Sequence, residues 1–120
     1  MPTNAHAVSV TEITYAIENR DGRRLANMYA DDAVLRVVDR DNPPSKPREI
    51  RGKAAISAYW EDVCGRTMTH KVEAAVTAND RLALTQACAY PEGGKVLCLA
   101  MLELKDGKIT QQTAVQVWDE

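Results

Sequence analysis

Lys95-Val-Leu-Cys-Leu-Ala-Met-Leu-Glu-Leu-Lys-Asp-Gly-Lys-Ile-Thr-Gln-Gln-Thr-Ala-Val-Gln-Val-Trp118 is the stretch from which the fold can be read. Residues 95–104 and 108–118 read as two strands, and Asp106-Gly107 between them is a strong hairpin signal. In the first strand Val96, Cys98, Ala100 and Leu102 form one face, while Leu97, Leu99 and Met101 form the other. Both faces are apolar, so both need cover. Helices can supply cover on one side only. The other side is expected to meet a second copy of the sheet, making a homodimer.

Working outward, the same period of two runs back to Met68. Met68, His70, Val72, Ala74 and Val76 alternate with Thr69, Lys71, Glu73, Ala75 and Thr77. Asn79-Asp80 turns the chain into a strand over 81–90, and Pro91-Glu-Gly-Gly94 turns it again. The first half is instead helical. Ser9-Val-Thr-Glu12 is a capping box opening a helix with Val10, Ile13, Ala16 and Ile17 on its apolar face. Asp21 caps a second short helix carrying Leu25, Met28 and Tyr29, which ends near Ala30-Asp31-Asp32 and leads into a strand-like Val34–Val38. Residues 39–51, with three prolines and many charges, read as a rim loop. A third helix starts at Gly52, places Ile56, Tyr59, Trp60, Val63 and Cys64 on one stripe, and closes at Gly65. Helices followed by an antiparallel meander make an α+β domain.

Composition narrows the function. The 120 residues support one domain, 1–120, with an ordered core over 8–118. There is no Phe, so the core must be aliphatic and small, either tightly packed or leaving a cavity. Fifteen basic against 17 acidic residues, net −2, provide no basic field for nucleic acid. No apolar run could span a bilayer, and Met1–Ser9 lacks the pattern of a secretory signal, so a cytoplasmic address is expected. Cys64, Cys88 and Cys98 are an odd set without CxxC spacing; neither a metal centre nor a cofactor is expected, and small buried thiols are the simplest reading.

Four landmarks occur in a telling order: three helices, Tyr29-Ala-Asp-Asp-Ala33, a Gly52-initiated helix with Ile56 and Tyr59-Trp60, and the Asp106-Gly-Lys-Ile109 hairpin. In that order the chain resembles the nuclear transport factor 2-like superfamily, nearest to ketosteroid isomerases and SnoaL-like polyketide cyclases. The resemblance implies a cone-shaped α+β barrel, cystatin-like, with helices packed in a curved antiparallel sheet around a ligand pocket. It also implies frequent dimerisation through the sheet.

Ketosteroid isomerases abstract a proton with a carboxylate base, while a Tyr and a protonated Asp hold the developing oxyanion. By ungapped counting these three positions become Val37, Ile13 and Ala100. Tyr15, two residues from Ile13, is turned about 200° around the helix. The chain is therefore not expected to be a ketosteroid isomerase of that mechanism. The same correspondence puts Trp60 at a pocket tyrosine position and turns Thr110, Gln112, Ala114 and Gln116 inward. Cys98 and Ala100 are expected to line the next strand, with Leu35 and Val37 opposite and Ile13 and Ile17 on the first helix.

For chemistry, His70 is the leading acid–base candidate, because an imidazole titrates near neutrality and this one sits on the apolar face of its strand. A core histidine with one hydrogen bond is the competing reading. Asp39, two residues beyond Val37, is the carboxylate with a route to the pocket mouth. The ligand-facing set is then Trp60, Gln112, Gln116, Cys98, Val37, Ala100, Ile13 and Ile17. Gln112 and Gln116 could equally face a wet dimer interface if strand parity is reversed. Three functions remain: an acid–base isomerase or cyclase acting on a small, moderately polar molecule, a non-catalytic binding module, and a dimerising protein with a filled cone. A cavity below roughly 300 Å³ would favour the last.

Overall fold

The computed structural model describes residues 8–119. The N-terminal stretch read for a targeting signal lies outside the described residues as far as residue 7. The first helix, α1 (Val10–Glu18), begins where Ser9 Oγ accepts from Glu12 N at 3.1 Å, and it buries Ile13, Ala16 and Ile17. Helix α2 (Gly22–Ala26) is capped by Asp21, whose carboxylate accepts from Arg24 N.

Here the first expectation fails. Tyr29 is not on a helix: strand β1 runs Tyr29–Val38 and starts where α2 was expected to continue. The reason is tertiary. Lys108 Nζ donates to Asn27 O, Ile109 N donates to Met28 O, and Tyr29 pairs with Ile109, so the last strand captures the chain at α2's end. The rim loop is also shorter than expected. Residues 48–51 form an edge strand, β2 (Arg48–Arg51), paired antiparallel to β1 with Ile50 buried opposite Leu35. Three charged residues around one isoleucine hid a strand that burial of alternate residues explains.

Helix α3 (Lys53–Gly65) follows, and Arg66 rather than Gly65 is its C-cap. Four long strands complete the sheet: β3 (Thr69–Ala78), β4 (Arg81–Ala89), β5 (Lys95–Lys105) and β6 (Lys108–Trp118). The order is β2-β1-β6-β5-β4-β3. All neighbours are antiparallel except β1 and β6, which are parallel, so the sheet is mixed where the resemblance implied an antiparallel one. The β5–β6 hairpin turns at Asp106 and Gly107, both with positive φ (54° and 79°), the left-handed pair that a two-residue hairpin needs.

Register shifts interrupt β1, β3 and β6's pairing with β5. Such bulges bend strands and let a sheet curl around helices. The shift between Val72 and Ala74 also corrects the reading of β3, because it reverses parity: Ala75 packs on the core and Val76 is exposed. On β5 the alternation holds, with Val96, Cys98, Ala100 and Leu102 buried and Leu97, Leu99 and Met101 about half exposed. The concave face packs Leu82, Leu84, Ala100, Leu102 and Ile109 against the helices.

Candidate functional site

The widened end of the cone, beyond that packed core, holds a cavity of about 280 Å³ between α3, β1 and the concave face of β3–β6. Val37, Trp60, Cys98, Gln112 and Gln116 line it, as do His70 and Asp39. From Gln112 on the inward parity of β6 is thus as expected, and the glutamines are not on the outer face; before it the bulge puts Ile109 in the core and leaves Thr110 out of the lining. Ile13, Ile17 and Ala100 are not in this lining. They belong to the packed core, because the helical end of the cone is filled by Leu25, Ile56 and their neighbours.

Two of the lining residues, Trp60 and Gln112, are joined behind the cavity by a relay through Tyr29. Trp60 Nε1 donates to the Tyr29 hydroxyl at 3.1 Å, and that hydroxyl donates to Gln112 Oε1. Complete burial pushes the Tyr29 phenol far up, so it stays protonated. Tyr59, one residue before Trp60, is pushed up to about 12 by burial and then by Cys98. It is a neutral donor at physiological pH.

The wall carries a second chain of polar atoms. His70 Nδ1 lies 3.1 Å from Cys88 Sγ, and Cys88 Sγ lies 3.7 Å from Gln86 Oε1 as donor. If the thiol gives its proton to Gln86, the imidazole must give Nδ1–H to the sulfur, which leaves Nε2 as a lone pair. Nε2 is buried and has no hydrogen-bond partner among the described residues. Burial, followed by the charges of Arg20 and Arg66, lowers the His70 pKa, so the ring is neutral at pH 7. Burial lifts Cys88 to about 11 and Cys98 to about 12, which makes both protonated thiols rather than nucleophiles.

Asp39 has a different occupation. Its Oδ1 accepts from Asp41 N, Asn42 N and Asn42 Nδ2 at 2.9–3.0 Å. An oxygen holding three donors fastens a turn. At the rim, Tyr90 and Trp118 stack with centroids 6.0 Å apart, and the Arg40 guanidinium lies 4.7 Å over Trp118. Trp118 Nε1 is buried without a partner. Arg66 is held by Asp62 and the Tyr90 hydroxyl, and Arg48 lies over the Tyr59 ring. Among the described residues no three His, Cys, Asp or Glu side chains converge as a metal-binding group.

Sequence reasoning missed Tyr29, Gln86, Cys88 and Trp118. For Gln86 and Cys88 the signal was present, since Leu82, Leu84, Gln86 and Cys88 alternate along β4. For Tyr29 it was not, because the strand start depends on β6.

A family model described as the SnoaL-like domain matches residues 10–112. The chain belongs to the SnoaL-like family. No curated protein matches it. Among solved structures, this SnoaL-like domain is similar to a nuclear transport factor 2-like protein of unknown function from Burkholderia xenovorans, with TM-score 0.76 and 17% identity, covering 90% of this chain and 79% of that one. A comparable protein from Mesorhizobium loti gives TM-score 0.74 and 17% identity over 92% and 87%. IdmH of Streptomyces antibioticus, a candidate polyketide cyclase, gives 0.65 and 21% over 89% and 88%. At these identities the likeness concerns the fold. Among the described residues no helix is long and apolar enough to cross a membrane.

Proposed function

We propose that this SnoaL-like domain is an acid–base catalyst for a small carbonyl-bearing molecule, with His70 as the base. One observation carries the reading: a neutral imidazole in the cavity wall is held at Nδ1 by a thiol and keeps Nε2 buried and unengaged. That is the geometry of a base waiting for a proton on its ligand. Gln112, Gln116 and Tyr59 surround the same space with groups that can hydrogen-bond a carbonyl oxygen. Asp39 is left out of the chemistry by its turn.

A filled, dimerising cone is favoured by one quantity, the volume. About 280 Å³ falls just under the roughly 300 Å³ typical of ligand sites, so any guest is small. Against filling stand the unpartnered polar atoms, which a dry apolar void does not carry.

The domain is further proposed to pair through its outer sheet face, where Leu97, Leu99, Met101, Val115 and Val117 form an exposed apolar surface. Its three free cysteines suit a reducing, cytoplasmic setting.

The catalytic reading is tested with 2-tetralone as a probe carbon acid, following exchange of its α-protons into D₂O by NMR. The wild type is expected to accelerate exchange above buffer, and His70→Gln to remove about a hundredfold or more of that acceleration. Equal rates for the two proteins would sink the proposal.

A further inference from the structure

The β3–β4 ladder sets three polar side chains side by side on the concave face. His70 pairs directly with Cys88, and Gln86 stands two residues before Cys88 on the same side of β4. The register shift in β3 comes only after Val72, so it leaves the His70–Cys88 pair undisturbed. His70 Nδ1 is 3.1 Å from Cys88 Sγ, and Sγ is 3.7 Å from Gln86 Oε1. All three residues line the cavity.

The thiol proton decides the state of the ring. The Gln86 carbonyl oxygen can only accept, and a neutral imidazole carries its proton on one nitrogen. If the thiol donated to Nδ1, the sulfur would turn a lone pair towards the Gln86 oxygen. Nε2 would then hold a buried proton without an acceptor among the described residues. If the thiol donates to Gln86, the sulfur accepts Nδ1–H and both contacts are hydrogen bonds. The amide is not free to turn over and change this. Gln86 also pairs with Cys98 across the β4–β5 ladder, and a hydrogen bond from Gln86 offsets part of the upward push that burial gives that thiol. A bond that favours the thiolate is one donated to sulfur, so the N–H₂ end faces Cys98 and Oε1 faces Cys88. Gln86 is only 7% exposed, which leaves little water to compete.

We infer that Gln86 is a positioning residue for His70: through the Cys88 thiol it holds the ring in the Nδ1–H tautomer and keeps the Nε2 lone pair for the proton of a guest. The catalytic value of this rests on the proposal that His70 is a base, while the tautomer itself can be read without any activity. An amide and a thiol orient the imidazole without bringing a charge to it. A carboxylate at Nδ1 would instead raise the pKa and favour the imidazolium, which has no lone pair left to accept a proton.

The test reads the ring nitrogens by long-range proton–nitrogen NMR at about pH 8, where the imidazole is neutral. The His70 signals are those lost in His70→Gln. A histidine side chain free in water prefers the Nε2–H form, so the Nδ1–H form expected in the wild type is a departure imposed by the fold. Gln86→Leu removes the acceptor of the thiol proton, and the ring should change to Nε2–H. Cys88→Ser keeps a hydroxyl that can give to Gln86 and take from Nδ1–H, so it should retain the Nδ1–H form, whereas Cys88→Ala should lose it. If the amide spectrum of Gln86→Leu shows a disturbed fold, the two Cys88 variants carry the test. A wild type in the Nε2–H form overturns the inference, and so does an Nδ1–H form that persists in folded Gln86→Leu or in Cys88→Ala. His70-dependent exchange of 2-tetralone should fall about tenfold or more in Gln86→Leu and survive in Cys88→Ser. An unchanged exchange rate beside a switched tautomer overturns the positioning role. A tautomer that switches as expected, with no exchange by the wild type, upholds the hydrogen-bond chain and removes only the catalytic proposal.

Discussion

Tyr29→Phe deletes one oxygen atom in the core behind Trp60 and Gln112, which line the cavity, and the structure allows its cost to be worked out. The hydroxyl accepts from Trp60 Nε1 and donates to Gln112 Oε1, and all three residues are buried. Removal breaks two hydrogen bonds and leaves both partners behind. A buried polar group left without its partner costs about 1–3 kcal/mol, so two such groups give about 2–4 kcal/mol once some turning of the Gln112 amide is allowed. Against a total stability of about 5–15 kcal/mol for a domain this is a large fraction. At about 4 °C per kcal/mol for a chain of this size, the melting temperature should fall by on the order of 10 °C. Urea unfolding monitored by tryptophan fluorescence measures the loss directly, with an unchanged m-value showing that the native state is intact. A cycle with Gln112→Leu separates the bond from the burial: the double variant should be less damaged than the sum of the singles, by about 1 kcal/mol or more. A Tyr29→Phe loss below about 0.5 kcal/mol, the scale of a surface substitution, would refute the relay.

Three further outcomes are expected. His70 has a folded-state pKa below its unfolded value near 6.5, so the unfolded chain binds the extra proton first as pH falls. Its contribution to stability is complete above pH 6.5 and is lost as pH drops below that. Any His70-dependent exchange should share this acid limb, and a rate flat from pH 7 to pH 4 would exclude the base role. Leu99→Lys, placed centrally on the exposed face of β5, should turn a dimer into a folded monomer by light scattering; a dimer that persists points to another interface. At Gly22 an added Cβ would sit 3.1 Å from Trp60 O and 3.4 Å from Trp60 C, where α2 crosses α3. Gly22→Ala should therefore cost about 1–2 kcal/mol in urea unfolding, crowding outweighing the better helix propensity of alanine.

Much of this molecule is legible along the chain, and the exceptions share one cause. Ser9 and Asp21 cap their helices as their side chains dictate, and Asp106-Gly107 makes the turn its backbone freedom allows. These are local events, settled within a few residues. The two faces of β5 follow from alternation in the same way, and so does the placing of His70, Gln112 and Gln116 around one cavity. Tyr29 and β2 were misread because partners far along the chain decide their state. Tyr29 becomes a strand through Ile109, and Arg48–Arg51 becomes one through Val34–Val37.

The site divides along the same line. From the sequence, the family resemblance implied the cone, and counting along the chain showed that the ketosteroid isomerase groups are absent from their positions; the cavity wall, expected to be small and amide side chains, also carries Tyr59, Trp60, Tyr90 and Trp118. Tertiary structure alone decided that Ile13, Ile17 and Ala100 pack away from the cavity, and that Oδ1 of Asp39 fastens a turn at its rim. It also decided which end of the Gln112 amide is bound to Tyr29. Alternation tells which side of a sheet a residue faces. Which of its atoms is free depends on what Trp60 and Tyr29, from a helix and a strand far away in sequence, have already bound.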